Sequence, residues 1–237
     1  MNKTVKFFFG IAVVIMSLLS SCAKENGTGN QAQVKFINAS IDAPAVDVTF
    51  DGVLLVGSIA FPYASDYVFV TAGNPVVKIF PSLASGTSSY ASGNVMLQNN
   101  VNYSVIISDS VAKMKTSVIV DTVSTPSSGY AKVRFLNLSP NASSMDVIAV
   151  SGTLTDTLSK ARSFNDQNIN IAYWGFINIP IGTYTIKVNA ASTATTLFTM
   201  PSTLFADGKI YTIVAKGVTN ATAGSAQALG GVVFLYN

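Results

Sequence analysis

Residues 32–48 (AQVKFINASIDAPAVDV) return 99 positions later as residues 131–147 (AKVRFLNLSPNASSMDV), and the fold follows from reading the two stretches together. Ala, Val, Phe, Asn, Ser, Ala, Asp and Val are identical, and Lys35 faces Arg134, Ile37 faces Leu136 and Val46 faces Met145. Further on, the run from Gly73 (GNPVVKI) matches the run from Gly182 (GTYTIKV) at an offset of 109. The run from Asn102 (NYSVI) matches that from Ile210 (IYTIV) at 108. The chain therefore reads as a tandem duplication, with about ten extra residues in the second copy between Val150 and Gly175. A period near one hundred is that of a domain rather than of a solenoid unit.

Both copies are written in strand language. Val34/Phe36, Val46/Val48/Phe50, Tyr67/Phe69 and Val101/Tyr103/Val105/Ile107 alternate with more polar neighbours, and β-branched and aromatic residues dominate. Asp51-Gly52 is a hairpin signal between two apolar stretches, Ser151-Gly152 holds the same place in the second copy, and Asp207-Gly208 precedes a late strand. The expectation is all-β: two tandem antiparallel β-sandwiches of roughly seven strands each, immunoglobulin-like or transthyretin-like in plan. The first spans 31–120 and the second 130–237, joined by a linker at 121–129 (DTVSTPSSG). A single outer-membrane barrel is the competing plan, and the duplication argues against it.

Composition narrows the function. Among 237 residues there is no histidine, one cysteine and one glutamate, and only 11% are charged. That excludes Ser/His/Asp and Cys/His nucleophiles, imidazole metal ligands, internal disulfides and thiolate zinc sites. No catalytic residue, metal site or cofactor is expected, and a non-enzymatic binding, adhesion or structural module is the leading reading.

The start of the chain reads as a targeting segment, with Lys3 and Lys6 ahead of an apolar run at 7–19. The run Leu19-Ser20-Ser21-Cys22 that follows resembles the bacterial lipobox. The resemblance implies removal of residues 1–21 as a lipoprotein signal peptide and attachment of a diacylglycerol to the thiol of Cys22. Ala23 after the cysteine, by resemblance to lipoprotein sorting, implies the outer membrane, on either its periplasmic or its exterior face. Residues 22–30 then form a lipidated tether with nothing apolar to bury. Loss of Lys3 and Lys6 leaves twelve basic groups against eleven acidic ones, a nearly neutral body with no footprint for nucleic acid. The expected partner is the membrane, reached through lipid rather than a span, together with an unidentified glycan or protein ligand.

The stretch from Asn38 to Gly52 (NASIDAPAVDVTFDG) resembles the opening motif of the bacterial extracytoplasmic family called domain of unknown function 4397, and the run from Gly182 resembles that family's later strand. Asn38 and Ile41 stand where histidine and proline are common, and the second copy reads Asn141-Ala-Ser-Ser in place of Asp-Ala-Pro. The resemblance implies a β-rich secreted protein with tandem domains and no established activity.

Asp47 and Asp146, the acidic residues shared by both copies, are expected to accept hydrogen bonds from loop N–H groups, ahead of a calcium site built from Asp42, Asp47 and Asp51. Ser110 and Lys113 fit a Ser-x-x-Lys pattern, but at the end of a strand and without its companion motifs. Trp174, the only tryptophan, and Tyr173 lie beside the insertion of the second copy. They are candidate glycan contacts if exposed, and packing residues against the insertion, linker or neighbouring domain if not. A glycan-binding accessory of a surface uptake system is the alternative function they suggest. Asp109-Ser110-Val111, Asp121-Thr122-Val123 and Asp156-Thr157-Leu158 resemble the acceptor pattern of a periplasmic O-glycosylation system, which makes Ser110, Thr122 and Thr157 candidate acceptors.

Overall fold

The computed structural model describes residues 29–82 and 88–236. The basic head, the apolar run, Cys22 and the tether up to residue 28 lie outside the described residues. The first sandwich contains β1 (Gln31–Ser40), β2 (Val46–Phe50), β3 (Val53–Ile59), β4 (Tyr63–Ala64), β5 (Val68–Thr71), β6 (Val76–Pro81), β7 (Ala91–Asn94), β8 (Asn102–Asp109) and β9 (Lys115–Val120). The second contains β10 (Tyr130–Asn137), β11 (Met145–Ser151), β12 (Leu154–Arg162), β13 (Ile177–Pro180), β14 (Gly182–Ala190), β15 (Thr196–Phe205), β16 (Ile210–Lys216) and β17 (Gly230–Leu235).

In the first sandwich the sheet β4-β1-β8-β9, with β5 also on β1, faces the sheet β3-β2-β6-β7. In the second, β13-β10-β16-β17 faces β12-β11-β14-β15. Each sandwich closes on its own apolar core, the first around Val34, Phe36, Val48, Ile79 and Val105, the second around Val133, Phe135, Val147, Ile186 and Ile213. The Asp51-Gly52 signal is a two-residue hairpin turn between Phe50 and Val53, with φ of 47° and 82° at its centre. Those left-handed values suit the twist of the flanking strands and explain Asp-Gly there.

Two details depart from the expected plan. Each sandwich has more strands than seven, because short edge segments such as β4 complete the sheets. Each also holds one parallel pair, β1 with β8 and β10 with β16, where antiparallel pairing was expected throughout. The first and late strands are not joined by a hairpin; the chain passes through the opposite sheet between them, so no tight turn imposes antiparallel order.

The quoted Asn-x-Ser and Asp residues explain why the stretch occurs twice. Asn38 Nδ2 donates to Ile59 O at 2.9 Å, and its Oδ1 accepts from Ser40 N. Asn137 repeats both bonds, to Arg162 O at 3.0 Å and from Ser139 N. Each asparagine thus ties the end of its first strand to the end of the third. Asp47 accepts from Ser58 N at 2.8 Å, and Asp146 accepts from Ala161 N at 2.7 Å. Ser58 and Ala161 have φ of 57° and 51°, so each carboxylate pins a left-handed residue within an irregular strand pairing. The partners lie on the neighbouring strand rather than in the preceding loop. Asp146 also accepts from Ser192 N, and these two backbone donors hold its carboxyl below the ordinary value of 3.8.

A group whose folded pKa is depressed stabilises the fold above its unfolded pKa and loses that contribution as pH falls toward the folded value. Urea unfolding of the wild type and of Asp146→Asn should therefore show a constant gap at neutral pH that shrinks as pH drops through 3.8. A gap that stays the same in acid would assign the effect of Asp146 to something other than its charge.

Candidate functional site

The two inner sheets meet face to face, and the seam between them concentrates the protein's strong electrostatics. Along β8, Tyr103, Val105 and Ile107 point into the first core while Ser104, Ile106 and Ser108 point to the seam. Along β10, Val133 and Phe135 enter the second core while Arg134 and Leu136 face back, as does Leu138 just past the strand's end. Ile37, Ala39, Ile106 and Ile119 pack there against Leu136, Leu138 and Val214, forming a third apolar cluster at the middle of the seam.

At one end of this cluster lies a buried polar knot. Arg134 Nη2 is 2.7 Å from Asp121 Oδ1, with both side chains fully buried. The same guanidinium donates to Thr212 Oγ1 at 3.0 Å, to the Trp174 carbonyl at 3.2 Å and to the Tyr236 hydroxyl at 2.7 Å. It also lies against the rings of Phe176 and Tyr236. Asp121 Oδ2 accepts from Tyr67 and Ser104 at 2.7 and 2.8 Å. With its proton on Asp121, Ser104 must accept from the Tyr236 hydroxyl, 2.6 Å away. Burial, then the Asp121 charge, pushes the Tyr67 hydroxyl far above the phenol range; burial likewise raises Tyr236, so both stay neutral donors. Lys35 lies between the same two rings and donates to Leu235 O at 3.3 Å. Burial pulls its ammonium below 10.5, against the pull of Asp66 and Asp121. Lys35, Tyr67 and Ser104 of the first sandwich, Asp121 just after it, and Arg134, Thr212 and Tyr236 of the second therefore share one charge network.

Longer segments of the second sandwich close the opposite end. The β11–β12 hairpin is four residues longer than β2–β3, and the segment between β12 and β13 is six longer than that between β3 and β5. Within that segment Asn165 Nδ2 donates to Ser108 Oγ at 2.8 Å, and the fully buried Gln167 reaches Ser117 Oγ at 3.4 Å. Arg162 holds the segment from below, with Nε and Nη2 on the two oxygens of Asp166 at 2.8 and 2.7 Å and Nη1 on Phe135 O. The chain's only two arginines are both spent on this seam and its strap.

Trp174 and Tyr173 belong to the strap. Trp174 is half-buried against the seam cluster and its indole N–H donates to Gln167 O at 2.7 Å, while the Tyr173 ring lies 3.8 Å from the Arg162 guanidinium. Both side chains are half-buried and make the packing contacts of the plain structural reading. Thr122 and Thr157 are exposed and Ser110 is half-buried. Asp121, which precedes Thr122 in its acceptor pattern, is locked in the seam, whereas Asp156 beside Thr157 is exposed. Ser110 precedes a single helical turn, Val111–Lys113, joined to Lys113 by a backbone bond. Asp42 accepts from Val111 N, Asp47 from Ser58 N and Asp51 from Val76 N, so the three calcium candidates serve three separate turns. Among the described residues no cluster of three His, Cys, Asp or Glu side chains is placed to hold a metal.

Sequence reasoning missed the seam, although its signal was present. Lys35/Arg134 and Ile37/Leu136 sit on the strand face opposite the core residues, and apolar side chains on both faces of one strand call for a cover on each. It also missed Phe69, which is 64% exposed. That ring lies over a crevice of about 260 Å³ lined by Phe50, Val53, Leu55 and Pro75.

Residues 32–148 match the model of the family described as Domain of unknown function (DUF4397). The matched span covers the first sandwich, β10 and part of β11. No curated protein matches the sequence. Among solved structures, the Bacillus anthracis TIE protein aligns at 10% identity and a TM-score of 0.25, over 78% of this chain and 34% of its own, so this chain spans about a third of its length. The family CBM26 module CBMbc of Eubacterium rectale Amy13K, in complex with maltoheptaose, aligns at 7% identity and a TM-score of 0.25, over 86% of this chain and 96% of its own. A candidate cell adhesion protein from Bacteroides eggerthii aligns at 12% identity and a TM-score of 0.23, over 88% and 96%. Likeness at these scores carries no argument about function.

Removing one member of a buried pair strands the other charge, which costs about 3–5 kcal/mol, whereas replacing both with apolar side chains of similar size costs far less. Asp121→Ala should lower the unfolding free energy by an amount in that range, and Asp121→Leu combined with Arg134→Met should recover most of it. Equal losses in the single and double variants, measured by denaturant unfolding, would remove the pair from its central place.

Proposed function

We propose that the protein is a lipid-anchored outer-membrane protein whose two sandwiches, copies of one duplicated domain, form a single rigid non-enzymatic module for binding, adhesion or envelope structure. The observation that carries this reading is where the charge goes. Both arginines and their aspartate partners are buried holding the sandwiches and the strap together, and Asp47 and Asp146 are occupied with backbone N–H groups. These groups build shape rather than a reaction centre. A stiff body on a short tether suits presentation of a surface at the membrane. The supporting sequence features are the run Leu19-Ser20-Ser21-Cys22, which resembles a lipobox, and the match of residues 32–148 to the model of domain of unknown function 4397. Trp174, on which the glycan-binding alternative rests, is half-buried against the seam and does not carry the present reading.

Cys22→Ser should leave the precursor uncleaved and abolish labelling by radioactive palmitate, and globomycin should produce the same precursor from the wild type. Normal maturation and membrane retention of the variant would overturn the anchoring.

A further inference from the structure

Three features meet at one corner of the first sandwich. The described chain enters here. Asn30 O accepts from Ala72 N at 2.8 Å and Asn30 Nδ2 donates to Ala72 O at 3.2 Å, which fixes Gly29 beside the end of β5. Phe69, on the same strand, is 64% exposed above its apolar crevice, and Val53 on the crevice wall is 63% exposed. Met96, 69% exposed, adjoins Leu97, whose backbone pairs with Gly73 immediately after Ala72. Asp51 is the one charged residue lining the crevice, and its carboxylate accepts from Val76 N at 2.8 Å.

The tether decides what this corner faces. From Cys22 to Gly29 is seven residue steps, a span of at most about 25 Å when fully extended. With Cys22 held in lipid, the corner stays within that distance of the bilayer, and a weak apolar contact gains from the high local concentration. The ring is particular to the sandwich next to the tether. Phe69 pairs with Gln33, and the residue that pairs with the corresponding Lys132 in the second sandwich is Asn178. Aromatic and aliphatic side chains exposed together beside a short lipid tether suit the boundary between headgroups and acyl chains.

We infer that the corner formed by Val53, Phe69 and Met96 docks on the bilayer that carries the Cys22 lipid, with the Phe69 ring entering the acyl boundary. The inference rests on the anchoring proposed above. Docking adds a second attachment point to the lipid and sets the orientation of the rigid body on the membrane.

The test uses the full lipidated chain carrying Phe69→Trp, reconstituted in phosphatidylethanolamine/phosphatidylglycerol vesicles with or without bromine on the acyl chains. Because Phe69 is exposed, the variant should fold as the wild type does, which circular dichroism checks. Wild-type emission comes from Trp174, held in the seam, and should be the same in both vesicles. The variant should lose its added emission in brominated vesicles alone. Unquenched added emission from protein that floats with the vesicles would overturn the docking while leaving the anchor intact. Added emission that responds to maltoheptaose, or to protein concentration, instead of to brominated lipid would assign the corner to a glycan or to a second copy and overturn it equally. Failure of the wild type to float would overturn the anchoring and the docking together.

Discussion

The Arg134–Asp121 pair is the contact on which the arrangement of the molecule turns. Asp121 directly follows the last strand of the first sandwich, Arg134 lies on the first strand of the second, and the two side chains lie wholly out of solvent 2.7 Å apart. Charges in such a place are tolerable only when every neighbour is a partner, and Tyr67, Ser104, Thr212 and Tyr236 supply that shell. Any rotation of one sandwich against the other would strand these groups in an apolar seam. The apolar cluster around Ile37, Ile106 and Leu136 supplies adhesion, and the pair supplies registry.

The insertion completes the same design from the other end. Without it, Ser108 and Ser117 would face the seam with no partner from the second sandwich; with it, Asn165 and Gln167 meet them. Arg162 and Asp166 make the strap stiff enough to present those amides, and Tyr173 and Trp174 cover it. The second sandwich thus carries a segment, longer than its counterpart in the first, that fastens the two together. The result is a four-layered stack of sheets in which the central strands of the inner two, β1, β8, β10 and β16, are buried on both faces over most of their length.

Much of the fold could be read from the sequence because it depends on local patterns. Alternation in residues 32–50 and 101–107 gave strands, Asp51-Gly52 gave a hairpin, and the repeat gave two sandwiches. The parallel pairs were not legible, since nothing local in β1 or β8 encodes the direction of a partner about seventy residues away. The seam was half legible. Lys35/Arg134 and Ile37/Leu136 advertise a covered outer face, yet which surface covers it depends on long-range docking. Trp174 was ambiguous for the same reason, because a lone aromatic beside an insertion looks identical in sequence whether the insertion folds inward or stands free. Phe69 was read as one of an alternating strand pair with Tyr67; its exposure follows from the position of β5 at the edge of its sheet, which alternation does not report.

Shared burial makes the two sandwiches one cooperative unit, and calorimetry of the intact chain examines that most directly. A single heat-absorption peak is expected, with a calorimetric enthalpy equal to the van't Hoff enthalpy of the whole transition. Two resolved peaks, or a van't Hoff enthalpy near half the calorimetric value, would mean that the sandwiches unfold independently and that the seam does not join them.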